Sequence, residues 1–374
     1  MATNNIPLTM RSLVARKYCK PAEYEVVDVP VPTIKRADEV LIRVHAAGIS
    51  TGDTQFAAGA SRFISPLQPP IPLGAQGSGT VIATGSSVTA LKPGDAVYGL
   101  AIRHGSMLAS PLPGFASEYA VARADILLPK PAHISFEDAA VLAGNVTTAA
   151  QCLNRYFQLA GQPASSGSLE GKTVFIPAAL SATGSVAIQV VKNVYGAARV
   201  VSTVSTAKVP LVATYLPGLI DTLVDYTTQN VVEAIGKETV DFVYNTQWAT
   251  FTSTLPLLKH HTGIAVSIAS VPRAETLRKM FGPGNVPFIF IWIAHLANAW
   301  YAWKLRGTGV KQDFVSGNPG SREDLERAGE WIAAGKVRAV TTVVALEDLS
   351  AVREACGRVA TGKGGLGALV IKIV

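Results

Sequence analysis

The sequence predicts an α/β protein in two parts, a small β-rich barrel and a doubly wound parallel sheet. Three observations predict it. Short β-branched runs broken by Gly and Pro fill residues 12–98. Further on, Gly171-Lys-Thr-Val-Phe-Ile-Pro passes through small residues into a helix-like stretch at 185–193 and a second strand at 199–203, a βαβ unit. Third, 374 residues of which 48% are hydrophobic and 16% charged are enough for two domains and a large buried core.

In chain order, Tyr24-Glu-Val-Val-Asp-Val-Pro alternates as a strand, residues 30–36 turn, and residues 39–48 form a longer strand. Ser50-Thr-Gly-Asp-Thr54 reads as a polar break. Residues 74–81 are glycine-dense and end in a strand, and residues 91–98 are a turn feeding another. Residues 101–114, of mixed composition, read as a loop. Residues 139–153 read helical, and 158–171, rich in Gly, Pro and Ser, as a connector. Beyond the βαβ unit, strands are expected at 240–245, 263–269, 337–345 and 368–374. An amphipathic helix is expected at 321–335, with Glu323 and Asp324 early, where the helix dipole favours acids.

The turn of the βαβ unit, residues 178–184, carries the chemistry. A dinucleotide fingerprint places Gly where the turn tightens, where backbone approaches phosphate and where helix meets strand. Ala179, Ser181 and Gly184 hold those places here. Ala and Ser keep the turn compact, Ser181 can donate to a phosphate oxygen, and the helix start at Ala182 and Thr183 faces a pyrophosphate. On the motif alone, an ordinary βα turn fits as well. The next strand ends in Ser202-Thr-Val-Ser-Thr-Ala-Lys208, with hydroxyls and a cation where an NAD site shows a carboxylate. That chemistry suits a 2′-phosphate, hence NADPH, with Ser205 and Lys208 as contacts; a solvated loop is the alternative.

The net charge of +7 comes from 33 basic and 26 acidic residues spread along the chain, which argues against nucleic acid as a partner. Cys19, Cys152 and Cys356 form no CxxC pair and no disulfide framework, as in a reducing compartment. The polar start, Met1-Ala-Thr-Asn-Asn-Ile-Pro, has no signal-peptide core, so a cytoplasmic protein is expected.

Several stretches together resemble the medium-chain dehydrogenase/reductase superfamily. They are Glu25-Val-Val-Asp-Val-Pro-Val-Pro, Val40-Leu-Ile-Arg-Val-His-Ala-Ala-Gly-Ile, Lys92-Pro-Gly-Asp-Ala-Val-Tyr, Gly114-Phe-Ala-Ser-Glu-Tyr, Ile134-Ser-Phe-Glu-Asp-Ala-Ala-Val-Leu and Gly171-Lys-Thr-Val-Phe-Ile-Pro. The resemblance implies a GroES-like β-rich catalytic domain (1–142, resumed at 317–374), interrupted by a Rossmann domain (143–316), with the active site in the cleft between them. Zinc-dependent members place Cys where this chain has Ser50, and a His-Glu pair where it has Ala75-Gln76, so no metal is expected. The likeness is therefore to the zinc-independent quinone-oxidoreductase and enoyl-reductase branch, which implies reduction of a conjugated C=C with donors holding the enolate charge.

By the same resemblance, Ser50 and Asp53 are the catalytic candidates, with loop capping as their structural alternative. Some enoyl reductases of this branch use a proton-donating Tyr near here, where the chain has Phe56. Asn145 and Thr148 correspond to the segment beside the nicotinamide, and Tyr226 to a residue near the adenosine phosphate. Asn245 stands where the family usually has an acid, and Ser267 and Ile268 end a strand that abuts the nicotinamide.

Two stretches stand apart. Gly357-Arg-Val-Ala-Thr-Gly-Lys-Gly364 nearly spells a P-loop, but it lacks the terminal Ser/Thr and is expected to follow a helix and precede a strand. Residues 286–303 are almost wholly apolar and hold Trp292, Trp300 and Trp303. A buried helix or a homodimer contact is expected there, ahead of walls for a greasy substrate or contact with a membrane surface; a transmembrane span is not. The whole reads as an NADPH-dependent reductase of a small hydrophobic enone, enoyl or quinone-like substrate. Alternatives are a trans-acting enoyl reductase serving a polyketide synthase or acyl carrier, and a non-redox enzyme or binding protein on the same scaffold.

Overall fold

The computed structural model describes residues 6–64, 66–100, 114–163, 167–316 and 321–374. The loop expected at 101–114 thus lies outside the described residues, save Gly114, as do most of the polar start and the expected boundary at 317. The chain divides into two compact units: Met1–Gly144 with Pro319–Gly329 and Thr341–Val374, and Asn145–Asn318 with Glu330–Val340.

The first unit runs β1 (Thr9–Ala15), β2 (Glu25–Pro30), β3 (Glu39–Ile49), α1 (Thr51–Ala57), β4 (Ile71–Pro72), β5 (Gln76–Thr84), β6 (Ala96–Leu100), β7 (Tyr119–Arg123) and β8 (Leu127–Pro129). Helix α2 (Phe136–Ala160) starts after Ser135, whose hydroxyl accepts the Asp138 N–H at 3.0 Å, and it is longer at both ends than 139–153. The unit division falls within it.

In the second unit, β9 (Thr173–Ile176), α3 (Ala182–Asn193), β10 (Arg199–Val204), α4 (Val209–Tyr215), β11 (Thr222–Asp225), α5 (Val231–Ile235), β12 (Phe242–Asn245), α6 (Phe251–Thr254) and β13 (Ile264–Ser267) alternate. Next come α7 (Ala274–Phe281), α8 (Phe288–Lys304) and β14 (Lys311–Phe314), then α9 (Arg322–Ala333). The chain closes with β15 (Thr341–Ala345), α10 (Leu349–Thr361) and β16 (Ala368–Lys372).

Among the described residues, the expected barrel takes the form of two sheets. β1 lies antiparallel between β2 and β4, and β3 is the hub of the larger sheet, pairing with β5, β7 and β16. The hub position follows from its sequence: Val40, Ile42 and Val44 are fully buried and share one core with Leu13, Phe115 and Ile371. β15 starts at Thr341, later than the expected 337, while β16 starts at Ala368 as expected.

The second unit holds a parallel sheet in the order β11-β10-β9-β12-β13-β14. Renumbered from β9, this is the 3-2-1-4-5-6 order of dinucleotide-binding sheets, whose direction of winding reverses between β9 and β12. Phe175, Val201, Val243 and Ala265 bury one face of it. The edge strand β14 was not legible, because Lys-Gln-Asp-Phe has no apolar run; backbone bonds from Lys311 and Val315 to Gly263 and Ser267 hold it.

One expectation holds and one changes. The near P-loop runs from the last turns of α10 toward β16, after a helix and before a strand as expected, with Gly362 in the left-handed region (φ 66°) ending the helix. The stretch 286–303 forms a helix, α8, but not a buried one: Ile291, Ala294 and Tyr301 are buried, while Phe288, Trp292, Leu296, Trp300 and Trp303 are exposed. Hydropathy all round a helix does not say which row has a partner. Among the described residues, no helix is long and apolar enough to cross a membrane.

Candidate active site

The turn after β9 is pinned by its neighbouring strand. Thr203 of β10 accepts the Ala178 N–H on its hydroxyl (3.1 Å) and the Ala179 N–H on its carbonyl (2.9 Å), and the Ser181 N–H closes the turn on the Ala178 carbonyl at 2.9 Å. Ala178 has φ 59°, a conformation that costs an L-residue about 1–2 kcal/mol. The turn is thus held in a strained shape by bonds from outside it.

Ser181 is the N-cap of α3, its hydroxyl oxygen accepting the Gly184 N–H at 3.0 Å. Its hydroxyl proton is not used by that bond. Ala182 and Thr183 open the helix, and first-turn N–H groups have no intrahelical acceptor. With the helix dipole, they favour an anion at this point. Gly184 is required by packing: a Cβ there would sit 2.3 Å from the Ala178 carbonyl oxygen and 2.7 Å from Ser181 Oγ. Ala178, Ser181 and Gly184 therefore form one close-packed corner at the reversal of strand order.

Ser205 and Lys208 follow β10 in a short turn, closed by the Lys208 N–H on the Ser205 carbonyl at 2.8 Å. Lys208 is half-buried, and burial pushes its ammonium below the ordinary lysine value. Tyr226 follows β11 and is exposed, its N–H bonding the Val204 carbonyl. These three lie at the same C-terminal end of the sheet as the α3 corner, since the strands they follow run parallel to β9.

Sequence reasoning missed two residues there. Thr203 holds the turn, a role visible only once β10 is paired with β9. Asp225, in register with Val204, accepts from the Thr206 hydroxyl (2.5 Å) and from the Thr227 N–H and hydroxyl (3.0 and 2.6 Å). The hydroxyls of Thr206 and Thr227 hold its carboxyl below the usual range.

Other candidates turn inward. The Asn245 amide donates to Ser267 Oγ (2.9 Å) and the carbonyls of Gln247 and Ala269, and it accepts from the Thr250 hydroxyl. Ser267 Oγ also accepts the Ala269 N–H. Both side chains are fully buried and bonded to the loops after β12 and β13. Ile268, next along, is half-buried. Asn145 and Thr148 share one face of α2 and are half-buried.

In the first unit, the polar break at 50–54 is a helix start. Ser50 and Asp53 make a capping box on α1: the Ser50 N–H and hydroxyl donate to Asp53 Oδ2 (2.8 and 2.6 Å), and the Asp53 N–H donates back to Ser50 Oγ. Asp53 Oδ1 accepts the N–H groups of Gly74 and Ala75, both at 3.0 Å. Burial pushes the Asp53 carboxyl up, against the pull of these four bonds. Both its oxygens are thus engaged in positioning backbone. Gln76 accepts the Gly144 N–H at 3.3 Å. Among the described residues, no three His, Cys, Asp or Glu side chains gather as metal ligands. A shallow concavity of about 550 Å³ beside Arg16, Asp28 and Pro70 touches none of these residues. Burial pushes the Cys152 and Cys356 thiols up to about 12, so both stay protonated at neutral pH.

Residues 36–132 match the alcohol dehydrogenase GroES-like domain family, and residues 220–365 the zinc-binding dehydrogenase family. The NADPH-dependent alkenal/one oxidoreductase of Arabidopsis thaliana is 32% identical over 58% of this chain and 52% of its own length. A trans-enoyl reductase of Alternaria alternata is 34% identical over 50% of each chain. The chain spans about half the length of the curated relatives it matches. A quinone oxidoreductase structure from Coxiella burnetii shares the fold, with a TM-score of 0.74 at 24% identity over 98% of this chain and 100% of that one. The two matched segments together place the chain in the medium-chain dehydrogenase/reductase superfamily, and the relatives it resembles there include quinone-oxidoreductase-like and enoyl-reductase-like proteins.

Proposed function

We propose that this chain is a cytoplasmic, NADPH-dependent, zinc-independent oxidoreductase that reduces the conjugated C=C of a small hydrophobic enone, enoyl or quinone-like substrate. The observation that carries the proposal is the Gly184 corner, where a helix start whose Ala182 and Thr183 N–H groups precede any intrahelical acceptor packs without a Cβ at the strand-order reversal. These residues fit a pyridine dinucleotide. The Ser181 hydroxyl and the N–H groups of Ala182 and Thr183 would hold its pyrophosphate. Lys208 and Ser205 would hold a 2′-phosphate, and Tyr226 would flank the adenosine side. Asn145, Thr148 and the Ile268 backbone would border the nicotinamide. When bound and reduced, the cofactor would supply a hydride equivalent to the conjugated bond. The NADPH named for the Arabidopsis relative supports the choice of dinucleotide.

Zinc independence rests on the chemistry of the positions concerned. Ser50 and Ala75 are not zinc ligands, and Ser50 is tied to Asp53. Within the reading, Ser50 and Asp53 shape the substrate side by fixing Gly74 and Ala75. The domain extents go with the proposal: 1–142 and 317–374 for the catalytic part, 143–316 for the dinucleotide part. The Alternaria relative favours a second reading, a trans-acting enoyl reductase whose substrate rides on the acyl carrier of a polyketide synthase.

Measuring NADPH consumption with free alkenals, quinones and an enoyl group on a carrier protein tests both. Turnover of free enones supports the first reading, and turnover of the carrier-bound group alone supports the second. Tight NADPH binding without turnover of any would overturn the reductase assignment.

A further inference from the structure

Helix α8 turns two rows in opposite directions. The inner row, Ile291, Ala294, Asn298 and Tyr301, seats it on its own unit: the Asn298 amide donates to the Pro272 carbonyl at 3.2 Å, and the Tyr301 ring meets Phe251 edge-on at 5.0 Å. The outer row, Phe288, Ile289, Trp292, Ile293, Leu296, Trp300 and Trp303, is exposed, with Phe288 at 73%, Leu296 at 63% and Trp303 at 65%. Together these side chains leave on the order of 800 Å² of apolar surface in water, more than the largest patch of a usual monomer.

Charge says what covers it. Residues 273–306, which include α7 packed against α8, hold Arg273, Arg278, Lys279, Lys304 and Arg306 against the single acid Glu275, a net +4 of the chain's +7. All five cations are exposed; Arg273 is shared with Asp313, and Lys304 lies over the Trp300 and Trp303 rings at 5.6 Å. A two-fold contact between copies would bring this positive rim against itself, which opposes association. An anionic lipid surface complements both parts, taking the apolar row among its acyl chains and the cations at its headgroups. The tryptophans suit that boundary, each with an apolar body and a polar N–H.

We propose that α8, flanked by the cations of α7 and of the turn after Lys304, is a docking face for an anionic lipid bilayer. The helix, about 25 Å long, lies along the surface and does not cross it. The inference is independent of the reductase reading, since it rests on residues outside the α3 corner.

The test is co-sedimentation of the full chain with vesicles of phosphatidylcholine alone and of phosphatidylcholine mixed with phosphatidylserine. Tryptophan emission is followed in parallel, and mass in solution is measured by light scattering. Binding to the serine-containing vesicles is expected, with emission shifting to the blue and added salt releasing the protein. Each cation removed costs about fivefold in partitioning, so the triple variant Arg278→Gln/Lys279→Gln/Arg306→Gln loses about a hundredfold. Ile293→Asn/Leu296→Asn abolishes binding at unchanged unfolding midpoint. Failure to bind serine-containing vesicles, or equal binding of either variant, overturns the proposal. So does a dimer in solution that Ile293→Asn/Leu296→Asn dissociates.

Discussion

Gly184→Ala probes the corner that the functional reading rests on. In an exposed helix interior, this exchange stabilises by about 0.8–1 kcal/mol, because Ala is the better helix former. Here the added Cβ meets the Ala178 carbonyl oxygen at 2.3 Å, over 1 Å inside ordinary contact, and Ser181 Oγ at 2.7 Å. The carbonyl cannot swing away, since Ala178 and Ala179 are bonded to Thr203 and the Ala178 oxygen accepts from Ser181. Relief requires the α3 start to retreat, which loosens the 3.0 Å cap from Ser181. Overpacking costs about 1–3 kcal/mol and a lost cap about 1 kcal/mol, so after the propensity gain the net loss is about 1–3 kcal/mol. Urea unfolding followed by fluorescence reads that loss, and titration with NADPH reads the accompanying loss of binding. A variant as stable as the parent, with NADPH affinity intact, would refute the argument for a close-packed phosphate corner.

Lys208→Ala is expected to weaken NADPH by about 10- to 100-fold, the worth of a charge-assisted bond, and to leave NADH within a fewfold; equal losses in calorimetric titration remove the 2′-phosphate assignment. Asp53→Asn replaces an acceptor of four hydrogen bonds with an amide that must turn a donor toward one of them, costing about 1–3 kcal/mol in chemical unfolding. Unchanged stability with lost turnover would make Asp53 catalytic instead. His45, stacked on Phe136 at 4.1 Å and bonded to the Thr80 hydroxyl, is held below its ordinary value of 6.5 by burial and then by Arg43. The unfolded chain therefore takes up the proton first, and stability falls as pH drops from 6.5 through the folded value. His45→Gln should flatten that slope in unfolding midpoints measured across the window, and an unchanged slope contradicts the assignment.

The parts of the fold that were legible in the sequence are those whose signals are local. Val174 to Ile176 read as a buried strand because all three are apolar and either β-branched or aromatic, and the cap spacing of Ser50 and Asp53 lies within one helical turn. What was not legible depends on partners far along the chain. Asn245 and Ser267 sit at strand ends, as expected, but their direction is set by Gln247, Thr250 and Ala269, in loops whose paths the sequence does not state. Asp225 was passed over for Tyr226 because its tie to Thr206 crosses 19 residues and needs β10 beside β11. The outward face of α8 is the same kind of failure. An apolar helix signals that burial is favourable, while the surface available to bury it belongs to the rest of the chain or to something outside it.

Calorimetric titration of the purified chain with NADPH, set beside NADH, tests the central claim most directly. A saturable one-to-one isotherm, tighter for NADPH and lost in Gly184→Ala, is the expected result. No heat from either dinucleotide would contradict the account, because nothing else would then explain a glycine-tight, donor-lined helix start where the strand order turns.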